Sequence, residues 1–340
     1  MAAAQTQSLY SSLNLVHNVS KTSSGSEVHS YISDLGQDTP ILTLIHGYPQ
    51  SAYIFRHVVP LLSGKVSLFI PELPGYGIST PIKDTNANDK RSVGTALLEA
   101  LSQVFKTTSS TSAGPRPVVL GGHDRGARIA HRLSVDFSHP PQDLSNPSLY
   151  SSSNLTVLGT ILLDIVPTQA QWQAFADPDI LTNYFHWPLL ANADLATEMV
   201  TAYGGGRWAR LACTRIAGPN PDSVVRITSN DALDVYGALF EQRETIYYSN
   251  LDYVAAATTD VAEQEEDQKA GRKVAVPLLV MFSQAKLGSR IDVQGIWKEW
   301  VAEGVDYEGF GVGHGYGHYL PEEAFDVVSD KIEAFLNKVT

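Results

Sequence analysis

Short apolar runs rich in β-branched residues alternate along this chain with amphipathic stretches of helical length. The runs fall at residues 41–45, 66–70, 118–121, 157–164 and 274–282. Their near-continuous apolar character predicts strands covered on both faces, as in a mostly parallel sheet. Residues 93–105 and 127–137 repeat apolar positions at helical spacing, and Pro321 opens a closing helix with an apolar face of Ala324, Val327, Val328, Ile332 and Phe335. Strand and helix alternating in this way predict an α/β fold with helices flanking the sheet. The alternation lapses over residues 168–266, where Trp172, Trp187, Trp208 and many tyrosines lie in helix-like segments. That stretch predicts an inserted helical cap. The expected organisation is an N-terminal segment at 1–26, a core domain from 27–167 and 267–340, and a cap domain at 168–266. Residues 107–114 and 138–154, rich in Ser, Thr and Pro between them, predict surface loops.

Composition narrows the function classes. With 340 residues, 43% of them hydrophobic and 18% charged, the chain can bury a substantial core and lacks the signature of disorder. Lys and Arg number 24 against 36 Asp and Glu, a formal charge of −12. Such a field repels nucleic acid and anionic lipid, so neither is an expected partner. A single cysteine, Cys213, excludes an internal disulfide framework and a Cys-based zinc site and predicts a buried thiol. No apolar run approaches the ~18 residues of a membrane span, and residues 1–12 lack the pattern of a secretory signal, so the expected address is cytoplasmic.

The chemistry is concentrated after the run at 118–121. There Gly122-His123-Asp124-Arg125-Gly126 leads into the helix at 127–137. Strand, sharp turn and helix around Gly-x-nucleophile-x-Gly is the context of a nucleophile elbow, here with Asp124 as the nucleophile. A carboxylate attacking an acyl carbon would form a high-energy mixed anhydride. Attack on a saturated carbon gives an ordinary ester, so the expected electrophile is an alkyl carbon bearing a halogen or an epoxide oxygen. His46-Gly47-Tyr48-Pro49 follows the run at 41–45, where this architecture builds half of its oxyanion hole, or else forms a tight loop with a cis proline. The N–H groups of Tyr48 and Arg125 are the expected hole for the oxyanion formed when water attacks the ester.

Two histidines, His314 and His318, lie between the last expected strand and the closing helix, where a general base must reach back to the elbow. His318 fits better, because Pro321 and the acidic Glu322 and Glu323 follow directly and anchor its loop. The residues after the run at 274–282 offer no carboxylate before Asp292. Asp164, ending the apolar stretch Leu162-Leu163, would be costly to bury without a partner and is the expected acid behind His318.

Taken together, these motifs resemble the α/β-hydrolase superfamily and, within it, the haloacetate (fluoroacetate) dehalogenases, relatives of epoxide hydrolases and haloalkane dehalogenases. The resemblance runs from about Glu27 to Leu336 and is most specific at Gly122-His123-Asp124-Arg125-Gly126-Ala127-Arg128, because the related groups usually carry Trp where this chain has Arg125. It implies that Arg125 and Arg128 bind the substrate carboxylate, that His186 and Trp187 in Tyr184-Phe185-His186-Trp187 bind halide with Tyr253, and that the protein is a homodimer. A haloacetate brings its own charge up to Asp124, and two like charges ~4 Å apart repel by about 4 kcal/mol at an effective dielectric of 20. Two arginines would offset that repulsion. The chain departs from the family at Val254, where Arg is frequent, and in the glycine-rich segment Gly313-His314-Gly315-Tyr316-Gly317.

The expectation is a hydrolytic dehalogenase of small 2-halo acids that needs no cofactor or metal. An epoxide hydrolase using the same Asp124 ester is the alternative. A third reading is a small-molecule binder that has kept the shell without turnover.

Overall fold

The chain, described here as a computed structural model, is followed over residues 2–107, 114–141 and 149–340. Its strands are β1 (Val16–Lys21), β2 (Glu27–Ser33), β3 (Ile41–Thr43), β4 (Ser67–Pro71), β5 (Arg116–His123), β6 (Leu155–Leu163), β7 (Leu278–Ser283) and β8 (Tyr307–Val312). They form a single sheet in the order β1-β2-β4-β3-β5-β6-β7-β8. Pairing is antiparallel from β1 through β2 to β4 and parallel from there to β8. The doubly covered strands are the ones with continuous apolar runs: every residue of β3, β4 and β7 is buried.

Helices pack on both faces because their apolar stripes leave them no other stable position. Lys90–Val104 buries Val93, Leu97 and Leu101, four residues apart, and its first turn is capped by Asp89, whose carboxylate accepts from the Ser92 N–H. Arg125–Ser138 follows β5 with no intervening loop beyond Asp124 and buries Ile129, Ala130 and Leu133. The closing segment is a short turn, Leu320–Glu323, followed by the helix Phe325–Val339. Between β6 and β7 the chain runs through helices only, from Thr168–Ala174 to Thr259–Ala270.

Three features depart from the sequence expectation. Residues 1–26 hold the helix Ala2–Ser12 and strand β1, so this segment is part of the sheet. β1, β2 and β8 lie toward the sheet margins with mixed burial, which is why no apolar run announced them. The run at 274–282 yields a strand only from Leu278, because Pro277 has no N–H for a ladder and Val274 instead forms an isolated bridge with Val301. Of the two expected loops, residues 108–113 and 142–148 lie outside the described residues, and Leu149–Ser152 forms a helical turn before β6.

Candidate active site

Asp124 stands where β5 turns into its helix, at φ +50° and ψ −117°. A side chain held at positive φ is strained, and the turn tolerates it because neighbouring positions have no Cβ. An ideal Cβ on Gly126 would fall on the carbonyl oxygens of Ile45 and His46, so strand and helix close around Asp124 only with glycine there. On the facing loop, a Cβ on Gly47 would lie 2.5 Å from Asp124 Oδ2 and 2.8 Å from the Arg125 nitrogen. The Tyr48 N–H donates to Asp124 Oδ2 at 2.9 Å, and the Tyr48–Pro49 peptide is cis.

Asp164 follows β6, also at positive φ, and its two oxygens are divided between two tasks. Oδ1 accepts from the backbone N–H and the hydroxyl of Ser283, at 2.7 and 2.8 Å. Oδ2 lies 2.7 Å from His318 Nδ1. His318 Nε2 in turn lies 4.0 Å from Asp124 Oδ1, a gap open to substrate or water. The backbone oxygen of His318 sits 2.8 Å from His123 Nε2, which holds the segment carrying His318 against the turn after β5. His314, the other candidate base, is exposed and has its carbonyl bonded by Asn220.

Electrostatics assign the protonation states. Burial alone would raise the Asp124 pKa, but the charges of His318, Arg125, His123 and Arg128 outweigh it and hold the carboxyl below its ordinary value. Burial would depress His318, yet the hydrogen bond and charge of Asp164, with the charge of Asp124, bring it above 6.5. Burial pushes His186 down to about 3, so it faces the site as a neutral imidazole.

Asp124, Asp164 and His318 open into one cavity of about 170 Å³ whose walls include Arg128, His186, Trp187 and Tyr253. His186 and Trp187 lie on the cap helix His186–Leu190, and Tyr253 on Arg243–Ala257. Their rings pack edge to face, with centroids 5.9 Å apart for His186 and Tyr253 and 5.6 Å for Trp187 and Tyr253. These helices between β6 and β7 thus supply the roof above Asp124.

A profile described as the alpha/beta hydrolase family matches residues 44–330, from the end of the β3 region into the closing helix. This chain belongs to the alpha/beta hydrolase family. Among relatives of this hydrolase, a fluoroacetate dehalogenase of Burkholderia sp. is 28% identical over 77% of each chain. A soluble epoxide hydrolase of Corynebacterium sp. strain C12 is 27% identical over 85% of this chain and 87% of its own. Among solved structures, a Pseudomonas aeruginosa protein proposed to be an epoxide hydrolase superposes with a TM-score of 0.77 at 26% identity, covering 96% of both chains. No helix among the described residues is long and apolar enough to cross a membrane.

Within this hydrolase, the Arg125 side chain, expected on the substrate carboxylate, has Asp252 as its partner. It is fully buried behind the cavity wall, with Nε 2.7 Å from Asp252 Oδ2 and Nη2 2.8 Å from Asp252 Oδ1. The physical reason is Asp252 itself: a guanidinium beside a carboxylate at bidentate geometry stays there rather than turning into solvent. The Arg125 plane lies 4.3 Å from the Tyr253 ring and 5.1 Å from that of Trp187, so it supports the roof from behind. Arg128 remains in the wall. It donates to the Val166 carbonyl and the Thr168 hydroxyl through Nη1, and burial and then Arg125 lower its pKa to about 10, where it still carries charge at neutral pH. Sequence reasoning missed Ser283 and Asp252, whose roles depend on neighbours distant in the chain. It also missed three cations of the cavity wall, Arg215, Lys286 and Arg290.

Proposed function

We propose that this hydrolase removes halogen from small 2-halo carboxylic acids through an ester on Asp124. The observation that carries the reading is the cavity wall itself. The Asp124 carboxylate, the cationic Arg128 and the donors His186, Trp187 and Tyr253 line one cavity.

In the first step an oxygen of Asp124 attacks the carbon bearing the halogen. The new C–O bond forms as the C–X bond breaks, and halide leaves with the electron pair toward the imidazole, indole and phenol donors. Arg128 holds the substrate carboxylate and offsets its repulsion from Asp124. In the second step His318 Nε2 takes a proton from water, and the resulting hydroxide attacks Cγ of Asp124. Tyr48 N–H, with the N–H of Arg125, stabilises the tetrahedral oxyanion. Collapse breaks the ester, His318 returns its proton to the departing alkoxide, and the 2-hydroxy acid leaves with Asp124 as its carboxylic acid, which releases the second water proton to solvent and restores the carboxylate. Asp164 holds the His318 ring and compensates its charge while protonated.

The second reading is epoxide hydrolysis by the same ester, with Tyr253 and Tyr184 donating to the epoxide oxygen. It is favoured by the withdrawal of Arg125 from the cavity and by the epoxide hydrolases among the relatives. Mass spectrometry of the intact His318→Ala protein separates the two, since loss of the base strands the ester. After exposure to fluoroacetate, chloroacetate, 2-chloropropionate and a set of epoxides, a gain equal to the acid minus hydrogen halide is the expected result. A gain equal to a whole epoxide would establish the second reading. No adduct with any compound would overturn both.

A further inference from the structure

The cavity is far more cationic than a protein of net charge −12 would lead one to expect. Four cations, Arg128, Arg215, Lys286 and Arg290, line it against two carboxylates, Asp124 and Asp164. Both carboxylates are engaged, Asp124 by the Tyr48 amide and Asp164 by His318 and Ser283. Arg128 stands with the reacting groups, which leaves three cations without a task in the chemistry described above.

These three converge from separate parts of the fold. Arg215 ends the cap helix Gly205–Arg215, and Lys286 and Arg290 lie in the segment after β7. Arg215 rests 4.9 Å from the Phe185 ring, and among the described residues neither it nor Lys286 has a carboxylate within ion-pair distance. Arg290 has its Nε 3.7 Å from a largely exposed Asp179 oxygen, and its Nη2 donates to the Asn183 side chain. Burial lowers the Lys286 pKa, the charge of Arg290 lowers it further, Glu323 pulls the other way, and Arg215 adds a smaller lowering. Glu323 is not a free counter-ion, because its oxygens accept from the amides of Gly218, Gly317 and Tyr319. Like charges facing one cavity repel one another, and an anion bound among them relieves that repulsion.

We propose that Arg215, Lys286 and Arg290 form a second anion site in the substrate cavity, so that the substrate carries an anionic group, carboxylate or phosphonate-like, in addition to the one beside its reacting carbon. The assignment rests on the reading of Asp124 and Arg128 given above and deepens it: the class becomes 2-halo diacids rather than two-carbon acids. Arg128 takes the proximal anion and the three outer cations take the distal one. The distal group also orients the chain, so that the carbon to be attacked meets Asp124 with the leaving group toward Tyr253.

Isothermal titration with unreactive ligands tests the site without requiring turnover. Acetate, propionate and butyrate would be compared with succinate, glutarate, adipate and 3-phosphonopropionate, on the wild-type protein and on Lys286→Gln, Arg215→Gln and Arg290→Gln. The expected result is binding of at least one dianion tenfold or more tighter than the matching monoanion. That advantage should shrink several-fold in Lys286→Gln and Arg215→Gln, whose side chains make no ion pair among the described residues. Succinate-like and phosphonate ligands ranked against each other show which anionic group is preferred. Equal affinity for mono- and dianions, or an advantage untouched by both variants, would overturn the second site. The adduct measurement on His318→Ala stands apart. An adduct without a dianion advantage leaves the reaction and removes the second site, whereas a Lys286-dependent advantage without any adduct leaves the site and removes the reaction.

Discussion

In the proposed reaction His318 and Asp124 place opposite demands on pH, and their surroundings reconcile them. The nucleophile must be ionised, and its lowered pKa keeps it so throughout the neutral and mildly acidic range. The base must be neutral, yet Asp164 and Asp124 raise its pKa above 6.5. Esterification removes the Asp124 charge, so the base in the intermediate loses one of the interactions that keep it protonated. The two steps are therefore expected to titrate differently. Decay of the trapped intermediate, followed by rapid quench across pH 5 to 9, should fall as acid protonates His318, while ester formation stays nearly level until Asp124 itself is protonated. A single pH dependence shared by both steps would contradict the assignment of His318. Tyr253→Phe should slow halide release by roughly 10² in kcat, the order expected for losing one donor to a developing anion, while the hydrolytic step is little changed.

At the scale of single elements, β5 and its helix show how much of a site local sequence can specify. Glycine at 126 was legible as a requirement of the turn, and the structure supplies its cause in the Ile45 and His46 carbonyls that a Cβ would strike. Gly126→Ala should destabilise the fold by roughly 3 kcal/mol or more, since backbone rather than a flexible side chain must yield. Urea unfolding measures this, and a midpoint equal to wild type would show that strand and helix can separate without penalty. The strands were legible to the degree that they were covered on both faces. β3, β4, β5, β6 and β7 were found from apolar runs, whereas β1, β2 and β8 carry mixed patterns and owe their place to pairing partners in the sheet.

At the scale of the molecule, the cap is fastened to the core by buried charge. Asp252 of the cap pairs with Arg125 and Lys90 of the core, Lys90 reaches Asp260 as well, and Arg132 meets Asp267 at 2.5 Å. Arg125 and then Lys90 outweigh the burial of Asp252 and hold its carboxyl well below the usual range. Removing one partner leaves the others buried and uncompensated, a cost of about 3 to 5 kcal/mol for a buried pair. Asp252→Asn should lower the thermal midpoint accordingly. It should also disturb the roof, because Arg125 lies against both Tyr253 and Trp187, so KM and kcat are expected to change together. Unchanged stability and kinetics would show that this pair does not position the cap.

Sequence alone determined the class of fold and singled out Asp124, His318 and Asp164, which the fold brings together. Those features are local: an apolar run, a glycine pair around Asp124, a histidine just ahead of a helix start, an aspartate at a strand end. The side-chain direction of Arg125 is different, for it was decided by Asp252, 127 positions along the chain. No pattern around Arg125 contains that information, because either partner was available until the cap packed down. The gathering of Arg215, Lys286 and Arg290 on one wall was likewise decided in three dimensions, since a charge has a function only relative to the charges that folding brings beside it.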